Sequence, residues 1–121
     1  MWPTRLSDKQ EQGRKWEDAA QLYLQRHGLV LIEANFRCKL GEIDLIMRDG
    51  LTLVFVEVRQ RAAGSQVGAA ASIGPAKVRR IVRAAQVYLQ RFARMPPCRI
   101  DVIAIDGTRI EWLKNAIDGT S

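Results

Sequence analysis

Asp44 and Glu57 are carboxylates on two adjoining apolar runs, and Arg59 follows Glu57 by two residues, which on a strand is the same side. Acids gathered on one face of a mostly buried sheet repel one another and lose hydration, so they call for a cation. A divalent metal meets that need, because carboxylate oxygens from two strands with water completing the shell form a site that Mg²⁺ accepts. Bound there, it would act as a Lewis acid and lower the pKa of a coordinated water. The plain alternative is that Asp44 pairs with Arg59 or Arg61 and Glu42 fringes the sheet.

The elements that must position these groups begin with residues 41–59, which read as two strands joined at Asp49-Gly50, a pair suited to the positive φ angles of a two-residue hairpin turn. With Arg48 opposite Leu51, Glu42 falls opposite Glu57, and Asp44 opposite Phe55, one diagonal step from Glu57. Alternation places Ile43, Leu45, Met47, Val54, Val56 and Val58 on an apolar face. The other face carries Ile46, Leu51, Leu53 and Phe55 near the turn and Glu42, Asp44, Glu57 and Arg59 away from it.

Upstream, the spacing predicts a helix over 9–26, capped by Ser7 or Asp8 and ended by Gly28, with a buried stripe of Gly13, Trp16, Ala20, Tyr23 and Leu24. Glu17 lies inside that stripe. An acid there either finds a buried arginine, reaches solvent at the stripe's edge, or points at the same cation as Asp44 and Glu57. His27 is read as a favourable residue at the helix C-terminus.

A strand over 29–37 leads into the hairpin, and Gly41 permits close approach of another backbone or a phosphate. Residues 60–74 are small and aperiodic and read as a mobile loop beside the charged end of the hairpin. Pro75 opens a helix expected to run to Arg94, buried through Val78, Ile81, Val82, Ala85, Leu89 and Phe92, with Lys77, Arg80, Arg83 and Arg91 off that stripe. Strands follow over 99–105 and 108–113, with Asp101 read mainly as a salt-bridge partner. Residues 1–8 and 114–121 are expected to fray. The expected fold is α/β, a mixed central sheet of about five strands flanked by helices, in a single domain spanning 1–121.

Net charge is +6, and the pI is near 9.9. Between Val58 and Ile100 there is no acid but nine basic residues, a one-signed segment suited to phosphates unless it is only a solvated face. Cys38 and Cys98 lack metal-ligand spacing and read as reduced, partly buried residues. No run is apolar and long enough to span a membrane, and no signal segment is visible, so a cytoplasmic protein is expected.

The run Gly41-Glu42-Ile43-Asp44-Leu45-Ile46, followed by Phe55-Val56-Glu57-Val58-Arg59-Gln60-Arg61, resembles the YraN-like family of small bacterial proteins. That resemblance implies a restriction-endonuclease-like core similar to archaeal Holliday junction resolvases. The superfamily motif is an acid on one strand and then an acid, any residue and a lysine on the next. Asp44 and Glu57 match it, and Arg59 stands at the lysine position. The resemblance implies Mg²⁺ or Mn²⁺ held by Glu17, Asp44 and Glu57, with Asp44, Glu57 and Arg59 catalytic. Gln60, Arg61, Lys77, Arg80 and Arg83 would contact nucleic acid, DNA in preference to RNA.

Arginine stays charged and has a different reach from lysine, so two functions stand side by side. One is a Mg²⁺-dependent endonuclease on structured or branched DNA. The other is an inactive nucleic-acid or protein binding module that keeps the fold. A third reading is self-association as a homodimer through Trp112 or Trp2.

Overall fold

The computed structural model describes residues 8–60 and 73–118. Arg61, Trp2, Ser7 and most of the loop expected over 60–74 lie outside the described residues.

The first helix, α1, spans Asp8–Arg26 and buries Ala20 and Leu24, with Trp16 and Tyr23 half-buried beside them, as the stripe requires. Gly28 follows at φ +92°, a conformation that suits glycine at a helix end. His27 Nδ1 lies 2.8 Å from the carbonyl oxygen of Tyr23 and donates to it, satisfying one of the helix's terminal acceptors. Among the described residues no helix is long and apolar enough to cross a membrane.

Strands β1 (Val30–Cys38), β2 (Gly41–Asp49) and β3 (Thr52–Gln60) are consecutive and antiparallel. After helix α2 (Pro75–Leu89) come β4 (Cys98–Asp106), parallel to β3, and β5 (Arg109–Ile117), antiparallel to β4. The result is a mixed five-stranded sheet in the order β1-β2-β3-β4-β5, the α/β class read from the sequence.

The helices take opposite faces. Leu45, Met47, Val54, Val56, Ile103 and Ile105 pack under α1, while Ile46, Leu53, Phe55, Ile100, Val102 and Ala104 pack under α2. Tyr88 of α2 is 3% exposed and meets Phe36 and Phe55 edge-on, at 5.3 and 5.9 Å between ring centroids.

Four expectations are corrected. The hairpin pairs Asp49 with Thr52, not Arg48 with Leu51, so its turn is Gly50-Leu51, with Gly50 at φ +61° in the first central position of a II′-like turn. Helix α2 stops at Leu89, not Arg94: the N–H groups of Gln90, Arg91 and Phe92 bond back only three residues, which tightens and ends the helix and leaves Phe92 38% exposed. Strand β5 runs to Ile117 past the expected fraying point, because Ile117 pairs with Ile100 and is buried. Gln60 belongs to β3 and not to a loop, and Ile73, a bend ahead of α2, anchors the far end of the connection by packing into the α2-side core.

Candidate functional site

The end of the sheet away from the Gly50-Leu51 turn opens into a cleft of about 420 Å³ lined by Gln12, Gly13, Trp16, Glu17, Asp44, Glu57, Val58, Arg59, Gln60 and Lys77. Both helices and the two central strands contribute. Glu17, Asp44, Glu57, Arg59, Gln60 and Lys77, six of the residues selected from the sequence, therefore meet there.

The shifted turn decides which acids face one another. Every partner moves by two residues relative to the expected pairing, so the ladder ends at Leu45 opposite Val56, with Asp44 and Glu57 the next residues on their strands. Asp44 does not face Phe55. Beyond Leu45 the side chain of Asp44 takes over from the backbone: its Oδ2 accepts the Val58 N–H at 2.8 Å. Glu42, expected opposite Glu57, instead lies opposite Arg37 of β1 and pairs with it at 3.5 Å, with 44% of its side chain exposed. It fringes the sheet.

A second irregularity brings in Glu17. Asn35 of β1 stands at φ +57°, a left-handed conformation that asparagine tolerates better than most side chains. On either side of this break, β2 changes face: Ile43 packs under α2, and Leu45 packs under α1. The Asn35 side chain hydrogen-bonds the Glu17 carboxylate.

The three carboxylates hold their protons more tightly than usual. Burial raises Glu17 to about 7, assisted by the charge of Asp44 and opposed by Asn35. Burial likewise raises Glu57 to about 8, with Asp44 adding to the rise and Lys77 and Arg59 opposing it. Asp44 is pushed upward by burial against the stabilising Val58 N–H. Beyond burial, the charge of Asp44 makes both Glu17 and Glu57 harder to ionise, the electrostatic signature of a place that takes either a proton or a cation.

Lys77, expected to face phosphates, turns its Nζ to within 3.7 Å of Glu57 Oε1. This helix approaches β2 closely because position 41 is glycine: a β-carbon there would run into the backbone carbonyl of Arg80. Gly41 thus admits another backbone. Arg80 and Arg83 remain on the exposed side of α2 together with Arg79, outside the cleft.

Among the described residues no three Asp, Glu, His or Cys side chains stand together as a finished metal cage. The donors nonetheless suit a hard divalent cation in kind, being carboxylate oxygens that burial keeps from ionising, with the charge of Asp44 adding to the effect at Glu57. Asp44 and Glu57 would be its nearest holders and Glu17 the third, with Lys77 moved off Glu57.

Asn35, which bonds Glu17 from outside the cleft lining, and Trp16, which lines it, carry no usable signal in the sequence. Asn35 reads as an ordinary strand position, and its role follows from a backbone angle. Trp16 reads as core, yet it lines the cleft, and its buried indole N–H has no hydrogen-bond partner among the described residues.

Asp101 stands apart from the cleft as a structural hub. It is fully buried and accepts from Arg99 Nε at 3.0 and 3.1 Å, from Trp112 Nε1 at 2.9 Å and from the Asn115 N–H at 2.8 Å. Arg99 also bonds Asp49 at 3.0 Å, fastening β4 to the hairpin. Trp112, half-buried, spends its polar edge on this hub. Cys38 and Cys98 are free thiols, both partly buried.

Comparison with known proteins places relatives in several bacteria. A UPF0102 protein of Janthinobacterium sp. (strain Marseille) is 60% identical over 110 residues, covering 91% of this chain and 89% of its own length. One from Herminiimonas arsenicoxydans is 60% identical over 106 residues, 88% of this chain and 86% of that one. One from Cupriavidus pinatubonensis is 55% identical over 120 residues, 98% and 94% respectively. The model of Uncharacterised protein family UPF0102 matches residues 16–105, a span containing Glu17, Asp44, Glu57, Arg59 and Lys77. The chain therefore belongs to the UPF0102 family.

Proposed function

We propose that this protein binds nucleic acid and hydrolyses phosphodiester bonds with a divalent cation, Mg²⁺ or Mn²⁺, acting on structured or branched DNA in preference to RNA. The observation that carries the reading is the convergence of Glu17, Asp44 and Glu57 with Arg59 and Lys77 in one open cleft, where burial raises all three acids and the charge of Asp44 adds to the rise of Glu17 and Glu57. When bound, the cation supplies a polarised phosphoryl oxygen and an acidified water.

The chain's own residues divide the remaining work. Asp44 is fixed by the Val58 N–H, which leaves its other oxygen to face the cleft. Arg59 lends permanent positive charge to the phosphate in transfer. Gln60 lies at the exposed lip of the cleft, where a strand entering it would pass. The exposed Arg79, Arg80 and Arg83 of α2 engage backbone phosphates, positioning the nucleic acid without reading its bases.

The restriction-endonuclease-like grouping belongs to this proposal. Its support is the acid of β2 with the acid-x-arginine of β3 on neighbouring central strands, and a helix glutamate at the same cleft.

A second reading, a binding module without turnover, is favoured by the Lys77–Glu57 ion pair, which gives Glu57 a counter-charge without any metal. Calorimetric titration of Mg²⁺ and Mn²⁺ into wild type and Asp44→Ala, with cleavage of branched and flapped DNA on the same preparations, separates the two. The enzyme reading expects metal binding and metal-dependent cleavage, both lost in Asp44→Ala. DNA binding by a wild type that takes up no metal would overturn it in favour of the module.

A further inference from the structure

Lys77 occupies the first turn of α2, with 33% of its side chain exposed, while its partner Glu57 is only 4% exposed. One member of the pair is locked in the sheet, and the other hangs from a flexible four-carbon stem at the lip of the cleft. The helix itself is held in place by the close approach of Gly41 to the Arg80 backbone, so only the lysine side chain has freedom to leave.

A divalent ion on Asp44 and Glu57 would confront the Lys77 ammonium at close range, and like charges within a few ångströms repel strongly in a partly buried site. The displaced ammonium has somewhere to go. Lys77, Arg80 and Arg83 recur at three-residue spacing, which makes successive members neighbours along one ridge of the helix, and both arginines are exposed.

We infer that Lys77 is an exchangeable placeholder, whose ammonium stands against Glu57 until a divalent cation arrives and is then handed to a backbone phosphate of the nucleic acid. Cation and nucleic acid thereby bind cooperatively, each favouring the other. This rests on the proposed function, in which the cleft takes both ligands.

The test titrates Mn²⁺ calorimetrically into wild type, Lys77→Met and Lys77→Arg without nucleic acid. It then measures binding of a labelled branched DNA to each in chelator and in Mg²⁺, before turnover. Lys77→Met should bind Mn²⁺ about fivefold more tightly than wild type, the size of one partly exposed ion pair. Its DNA affinity should lose most of the gain that Mg²⁺ gives the wild type, and Lys77→Arg, which keeps the charge, should retain that gain. Equal Mn²⁺ affinity in wild type and Lys77→Met, with an unchanged Mg²⁺ effect on DNA binding, would overturn the exchange while leaving the metal reading standing. A wild type that binds no Mn²⁺ would overturn both.

Discussion

Asp44 accepts the backbone N–H of Val58 at 2.8 Å, so a site carboxylate also closes the strand pairing of β2 with β3 where the regular ladder ends. The same side chain is therefore structural and chemical, and the two roles separate by substitution. Asp44→Ala strands a part-buried N–H and should lower unfolding free energy by about 1–2 kcal/mol. Asp44→Asn keeps an acceptor and removes a repelled charge, so chemical denaturation should show little loss of stability while metal binding and cleavage disappear.

Stability should fall as pH rises. Glu57 moves from an ordinary value of 4.5 to about 8 on folding, and Glu17 from 4.5 to about 7. An acid whose pKa is raised by folding binds more protons folded than unfolded, so its contribution is fully present below about pH 4.5 and is lost as pH climbs through 7 to 8. Thermal melts in chelator should show a lower Tm at pH 8.5 than at pH 5.5. Glu57→Gln should flatten that slope and gain on the order of 2 kcal/mol at the alkaline end. A divalent cation held by these carboxylates should restore Tm at pH 8.5 in wild type and not in Glu57→Gln.

Gly41→Ala forces β2 and α2 apart at the Arg80 carbonyl. Over-packing of this kind costs about 1–3 kcal/mol, to be read from urea denaturation. Because Lys77 lies one turn before Arg80, the same change should weaken its hold on Glu57, seen as a further rise in the Glu57 titration by NMR.

Asp101→Ala removes the acceptor of Arg99, Trp112 and Asn115 at once. Breaking one side of a buried charge pair costs about 3–5 kcal/mol, the largest loss expected in this chain from a residue outside the cleft. Trp112 fluorescence should change with it, whereas Asp101→Asn, which keeps an acceptor, should fall between.

Arg80→Ala combined with Arg83→Ala should weaken DNA binding uniformly across sequences. The slope of log affinity against log salt should fall by about 1 for each phosphate no longer neutralised. Unchanged salt dependence would show that this ridge of α2 does not touch the backbone.

Much of this is legible in the chain, and what is not has physical causes. The strands show themselves by alternation, and α1 and α2 by their stripes, so type and position suffice to find Glu17, Asp44 and Glu57. The Asp49-Gly50 pair misleads because glycine serves equally as the second residue of one tight turn and the first of another, and only tertiary packing chooses between them. Asn35 is invisible because positive φ at a strand asparagine leaves no mark in composition. Lys77 is recognisable as basic but not as a partner of Glu57, since helix periodicity tells which side of α2 it occupies and not that Gly41 brings that side down onto β2 and its neighbour.

The Gly50-Leu51 turn lies at the opposite end of the hairpin from the cleft, and its tip, Leu51, is 88% exposed. Yet the count of residues in that turn determines that Asp44 follows the last paired residue on its strand opposite Glu57. What the tip residue is has little bearing on the site; how many residues the tip contains governs all of it. An exchange at Leu51 is a surface event, whereas a single-residue insertion or deletion beside it would rotate Asp44 and Glu57 out of one another's company without touching either.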